Sequence, residues 1–150
     1  MKNALILLLS FLVLSCSSND NEVPPTEIET ILIAKDNLYG NGAEGIGEQN
    51  IIISNQSAWS SLMNQMNSVN NVSDSFSETN IDFSEYKIIA VFDEIKNSGG
   101  YSLELDVTLN SEAIIVSITD IVPEGNVTTI ITQPFHIIKI TKSNLPILFE

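Results

Sequence analysis

The chain has no arginine, one histidine and one cysteine among its 150 residues. Each scarcity removes a class of function. Six lysines, spread from Lys2 to Lys142, face nineteen acids for a formal charge of −13. No cationic patch exists on which a phosphate backbone could be neutralised, which argues against nucleic acid as a partner. A charge of this sign and size keeps a protein soluble. One histidine and one cysteine cannot supply a histidine-rich zinc site, and a lone cysteine forms no internal disulfide. A Ser–His–Asp triad would have to use His136, yet no Gly-x-Ser-x-Gly elbow is present. His136 instead shares an alternating face with Ile138 and Ile140, as a structural or partner-facing residue does. No Asp-x-Asp-x-Asp-Gly calcium loop occurs. Carboxylates are plentiful, but nothing selects an acid pair: Glu104 and Asp106 fall on the outer face of one strand and Asp93-Glu94 at the end of another. The inventory therefore predicts no catalytic residues, no metal and no cofactor, leaving an unrecognised acid pair as the enzymatic rival.

What is present begins with a leader. Met1-Lys2-Asn3 is a short positive start, and Ala4 to Leu14 is an apolar run too short to span a bilayer as a resident helix. The closing Val13-Leu14-Ser15-Cys16 resembles the lipobox of bacterial lipoproteins, in which cleavage precedes a cysteine that then receives lipid. The resemblance implies a signal peptide over 1–15, lipid attachment at Cys16, and a place in the bacterial cell envelope as an outer-membrane lipoprotein, periplasmic or surface-exposed. Without residues 1–15 the chain keeps five lysines against nineteen acids, a formal −14. Residues 16–27, polar and containing Pro24-Pro25, read as a flexible tether. The acids that follow Cys16 resemble a surface-export signal and equally suit a solvated linker.

Residues 28–150 read as a single β-rich domain. Ile28–Ala34 is expected as a first strand. A glycine-rich turn from Tyr39 to Gly47 and a β-branched run at Ile51-Ile52-Ile53 follow, suggesting a strand–loop–strand pair. The glycines lack the lysine and Ser/Thr of a phosphate loop. Helical period occurs once, over Ser57–Asn67, where Trp59, Leu62, Met63 and Met66 fall on one face and Asn55 or Ser57 can cap the start. The only tryptophan is expected to plug the core. Ser68–Asn80 is the longest loop. Lys87–Phe92 is continuous enough to be a central strand buried on both faces. The strand beginning at Tyr101 places Leu103, Leu105, Val107 and Leu109 on its core face, and Asn110-Ser111-Glu112 folds it into a hairpin with Ala113–Ile121. Strands over Val127–Thr132 and Phe135–Ile140 complete the pattern. The expected class is mainly β with one helix (α+β): an antiparallel sheet forming a small sandwich or partly open barrel, with one amphipathic helix packed on it.

Between two strands lies Asn97-Ser98-Gly99-Gly100-Tyr101. No helix follows it, so no helix terminus is available to hold an anion. A glycine pair supplies positive φ for a tight connection, and Tyr101 is expected to turn its ring to the core face. Three stretches, Ile88-Ile89-Ala90-Val91-Phe92, Gly99-Gly100-Tyr101-Ser102-Leu103 and Gln133-Pro134-Phe135-His136-Ile137-Ile138-Lys139-Ile140, resemble in order and spacing the C-terminal domain of the protease complex subunit PrcB family. The resemblance implies a non-enzymatic lipoprotein that binds, assembles or stabilises a secreted or surface protease or another envelope protein. Its candidate partner-binding residues here are Asn97, Ser98, Gly99, Gly100, Tyr101, Phe135 and His136. The loop also resembles, faintly, the Asn-Pro-Thr-Thr-Gly-Tyr loop of chagasin-type protease inhibitors, departing from it at Pro-Thr-Thr. A chagasin-like inhibitor and a small-ligand or glycan-binding lipoprotein are the alternatives.

Overall fold

The computed structural model describes residues 24–150. The expected leader, Cys16 and residues 17–23 of the expected tether lie outside the described residues. The chain is already engaged before Ile28: β1, Thr26–Glu27, pairs antiparallel with Leu109 and Thr108.

Among the described residues eight strands make two four-stranded sheets. Sheet I has the order β1-β5-β6-β8, with β5 at Ser102–Leu109, β6 at Ile114–Ile121 and β8 at Ile147–Phe149. Sheet II has the order β2-β7-β4-β3, with β2 at Thr30–Leu38, β3 at Gln49–Ile53, β4 at Tyr86–Phe92 and β7 at Gln133–Thr141. All pairings are antiparallel except β6 with β8. The expected α+β class is thus a sandwich, and among the described residues neither sheet closes into a barrel.

Among the described residues one α-helix, α1 at Gln56–Met66, forms where the apolar period predicts it. The Asn55 side chain accepts from the Ala58 N–H at 2.9 Å, satisfying one of the donors a helix start leaves free. Trp59, Leu62 and Met66 are buried against one face of sheet II, with Ile88, Ala90, Phe92, Phe135 and Ile137. The opposite face of the same strands presents Ile89, Val91, Ile138 and Ile140 to Leu103, Val107, Ile114 and Val116 of sheet I. The order of layers is helix, sheet II, sheet I. β4 and β7 are the inner strands of the middle layer, which is why their sequences are apolar without alternation.

Three expectations need correction. The strands on either side of the glycine-rich turn, β2 and β3, share a sheet but are separated by β7 and β4. The doubly buried strands take the centre and push the pair to opposite edges. The first strand runs on to Leu38 and carries a bulge: Leu32 faces Ile138 and Ala34 faces Ile137, so Ile33 is the extra residue. Ile33 and Ala34 are therefore both buried, which strict alternation forbids. Finally, Val127–Thr132 is not a strand; only Thr132 makes a bridge, to Lys96. Its partner is the glycine-containing loop, which pairs with it at one isolated bridge and offers no ladder.

Candidate functional site

The loop from Asp93 to Tyr101 is fastened to residues 123–132 along its length. Lys96 and Thr132 exchange backbone hydrogen bonds at 2.7 and 3.0 Å, the Gly99 N–H donates to the Thr128 carbonyl at 3.0 Å, and the Thr132 hydroxyl donates to the Ser98 carbonyl at 3.1 Å. Gly100 has φ of +92°, a left-handed conformation that a side chain would strain. Gly99 is buried beneath Thr128 and Ile130. The glycines thus let two irregular segments close on each other.

Charge is concentrated at the loop's base. The Lys96 ammonium lies 2.9 Å from Asp93 and 3.1 Å from Glu94, and 5.3 Å from the centre of the Tyr101 ring. Burial opposes the Lys96 charge, but the hydrogen bonds to Asp93 and Glu94 and the negative charges of both carboxylates hold Lys96 above its ordinary value. The Tyr101 ring is half-buried beneath this cation.

The Gln133-Pro134 step has a local cause for its composition. The Asp93 N–H donates to the Pro134 carbonyl at 3.0 Å, but proline has no N–H to return the bond. The Gln133 side-chain amide donates to the Asp93 carbonyl instead, at 2.8 Å, and to the Ile46 carbonyl at 3.0 Å. A proline is thereby accommodated in an inner strand.

The seven candidate residues separate into three groups. Asn97 is exposed and Ser98 partly so, with Gly99 and Gly100 forming the turn behind them. Tyr101 and His136 each bond across the junction of the sheets, to different partners. The Tyr101 carbonyl accepts from the Asn37 amide at 3.2 Å, and the His136 Nδ1 lies 3.0 Å from the Leu103 carbonyl oxygen. That oxygen can only accept, so Nδ1 carries the hydrogen. Lys35 of β2 and Glu104 of β5 form an ion pair across the same junction, and its hydrogen bond holds Glu104 below its ordinary value. Burial pushes His136 below the ordinary imidazole value, with the Leu103 hydrogen bond opposing. Phe135 is fully buried between Phe92 and Phe76, with ring centres 6.0 and 6.4 Å away, and has no surface to offer a partner.

Composition hid the apolar surface beside the loop. Val122, Val127 and Ile130 are 62, 40 and 43% exposed, and all lie on the segment that packs against Gly99 and Gly100. Val127 and Ile130 read as strand residues in sequence, and only the failure of that strand leaves them outward. Among the described residues no group of three or more His, Cys, Asp or Glu is placed to hold a metal ion, and no helix is long and apolar enough to cross a membrane.

No curated protein and no solved structure gives a significant match to the chain. Residues 87–141, which run from β4 through β7 and include every residue of the loop and its cover, match the family model described as PrcB C-terminal, the family that the same strands resemble in sequence.

Proposed function

We propose that the protein is a non-enzymatic accessory subunit that binds and stabilises a protease of the cell envelope, using the end of the sandwich formed by the Asp93–Tyr101 loop and residues 121–130. The carrying observation is the exposure of three apolar side chains, Val122, Val127 and Ile130, on one segment that hydrogen bonds at Thr128 and Thr132 and packing on the Gly99-Gly100 turn hold in place. A fixed apolar surface rimmed by polar groups such as Asn97 is the usual form of a protein-binding site. The PrcB C-terminal match over these residues supports a protease-associated role, and Val13-Leu14-Ser15-Cys16 supports attachment to the outer membrane through lipid on Cys16.

The test is photocrosslinking in cells, with the full chain carrying a photoreactive residue at Val122 or Val127. A protease should be trapped from both positions and not from Glu112, which is exposed on the β5–β6 turn. Equal trapping from Glu112, or none from the two valines, overturns the assignment. Peptidase activity of the trapped pair against the free protease then separates assembly from inhibition.

A further inference from the structure

β3 is an edge strand, bonded to β4 on one side and, among the described residues, to nothing on the other. Its hydrogen-bonding parity follows from the register. Because Asp93 donates to Pro134, the odd-numbered residues of β4 direct their backbone groups to β7 and the even-numbered ones to β3. Phe92, Ala90 and Ile88 therefore bond to Gln49, Ile51 and Ile53. The N–H and C=O of Asn50 and Ile52 point off the sheet.

The other edges of the sandwich are closed to addition. β2 carries the bulge at Ile33, the charges of Lys35 and Asp36, and hydrogen bonds from Ser77 to the Ile33 and Leu32 carbonyls at 2.9 and 2.8 Å. β1 and β8 are two and three residues long. Charges, bulges, covering segments and shortness are the ordinary defences of a free edge. β3, Gln49-Asn50-Ile51-Ile52-Ile53, has no charge, no proline and no register shift.

Clefts flank this edge on both faces. One of about 290 Å³ lies between β3 and α1 and is lined by Ile51, Ile53, Ala58 and Leu62. The other, about 440 Å³, opens on the opposite face toward sheet I and is lined by Glu48, Asn50, Asp93, Asp120 and Glu150. No cation lines it. Asp93 is paired with Lys96, and the other three carboxylates form no salt bridge among the described residues. An added strand sends successive side chains to opposite faces, so one set would enter the apolar cleft and the alternate set the acidic one.

We infer that β3 is a docking edge for an extended segment of a partner protein in which apolar residues alternate with lysine or arginine, added to sheet II as a fifth strand. A second copy of this chain is disfavoured as the occupant, since edge-to-edge pairing would bring two acidic clefts together on a chain of net charge −13. The docking edge shares Asp93 with the loop but uses none of Val122, Val127 and Ile130, so it stands or falls apart from what those side chains bind.

The experiment titrates the purified full chain with a synthetic alternating Lys–Val peptide, a shuffled peptide of the same composition and an alternating Glu–Val peptide. The Lys–Val peptide should bind at least about tenfold more tightly than the shuffled one, and the Glu–Val peptide should not bind. On saturation, amide exchange should slow about tenfold or more at Asn50 and Ile52 while changing little at Ile51 and Ile53, which are already bonded. Ile52→Pro removes an outward donor and should weaken binding about tenfold. Ile52→Lys, which keeps the backbone intact and repels a cationic strand, gives the same loss if the proline variant fails to fold. Equal binding of alternating and shuffled peptides, or unchanged exchange at Asn50 and Ile52, overturns the inference. So does a concentration-dependent dimer that Ile52→Lys abolishes, because it makes the occupant a second copy.

Discussion

A β-carbon placed on Gly100 would lie 2.8 Å from the β-carbon of Pro123, and the Gly100 backbone already sits at φ of +92°. Steric crowding and backbone conformation both require glycine there. Gly100→Val should lower unfolding free energy by about 1–3 kcal/mol. Gly47, with negative or extended φ and no atom within 4 Å of its would-be β-carbon, is the contrast. Gly47→Ala should be neutral or stabilising by up to about 1 kcal/mol. Urea unfolding of both variants checks the pair; equal midpoints would mean that the Gly99-Gly100 turn is not constrained.

The helix depends on its cap and its plug to different degrees. Asn55→Ala removes the bond to Ala58 and should cost about 1 kcal/mol. Trp59→Ala empties a fully buried site stacked on Phe76, with ring centres 5.9 Å apart, and should cost about 3–5 kcal/mol. It also frees the Thr79 carbonyl, to which the indole donates at 2.9 Å. Denaturant midpoints at constant slope should rank the two in that order.

His136 makes stability depend on pH with a definite sign. Its folded-state pKa is below the ordinary 6.5, so between those two values the unfolded chain binds more protons than the folded one. Stability is fully present above 6.5 and is lost as pH falls toward the folded value. His136→Gln, whose amide can donate to the same Leu103 carbonyl, should flatten the slope of Tm against pH just below 6.5. An unchanged slope would assign that dependence to other groups.

Lipidation at Cys16 is predicted from the Val13–Cys16 motif. Labelled palmitate should enter the protein, and Cys16→Ala should abolish both the label and sedimentation with membranes, since several acyl chains on one residue anchor where a single chain does so only marginally. Retention of both by the variant would remove the anchor.

The inner strands were legible because double burial writes itself as an unbroken apolar run: Lys87–Phe92 marked β4 directly. The helix and the β5–β6 hairpin were legible for similar reasons, each being set by local period and a short turn. Neighbour relations in sheet II were not, because they join residues on opposite sides of the chain, as Leu38 with Gln133. Nor could the polar composition of 68–80 reveal that Phe76 reaches between Trp59 and Phe135. At the candidate site the loop itself was visible, but Phe135 entered as a partner-binding candidate through the family resemblance, and alternation along an inner strand cannot tell an outward face from a second buried one. The edge character of β3 had no local signature at all, since an Ile-Ile-Ile run serves an inner strand equally well.

The strand order of sheet II also sets when the molecule can fold. Among the described residues β2 has no strand neighbour except β7, which lies about a hundred residues further along the chain, and β4 cannot complete its second ladder until β7 arrives. The β5–β6 hairpin is joined by a short turn and can form early. Emerging chains would therefore hold β2 and β4, both rich in isoleucine, without their final partner until residue 141 is available. Closure of so long a loop makes refolding slow for a domain of this size and leaves aggregation-prone strands exposed in the interval. In stopped-flow refolding with pulsed hydrogen exchange, amides of the β5–β6 hairpin should gain protection before those of β2; simultaneous protection would show that the two sheets form as one nucleus.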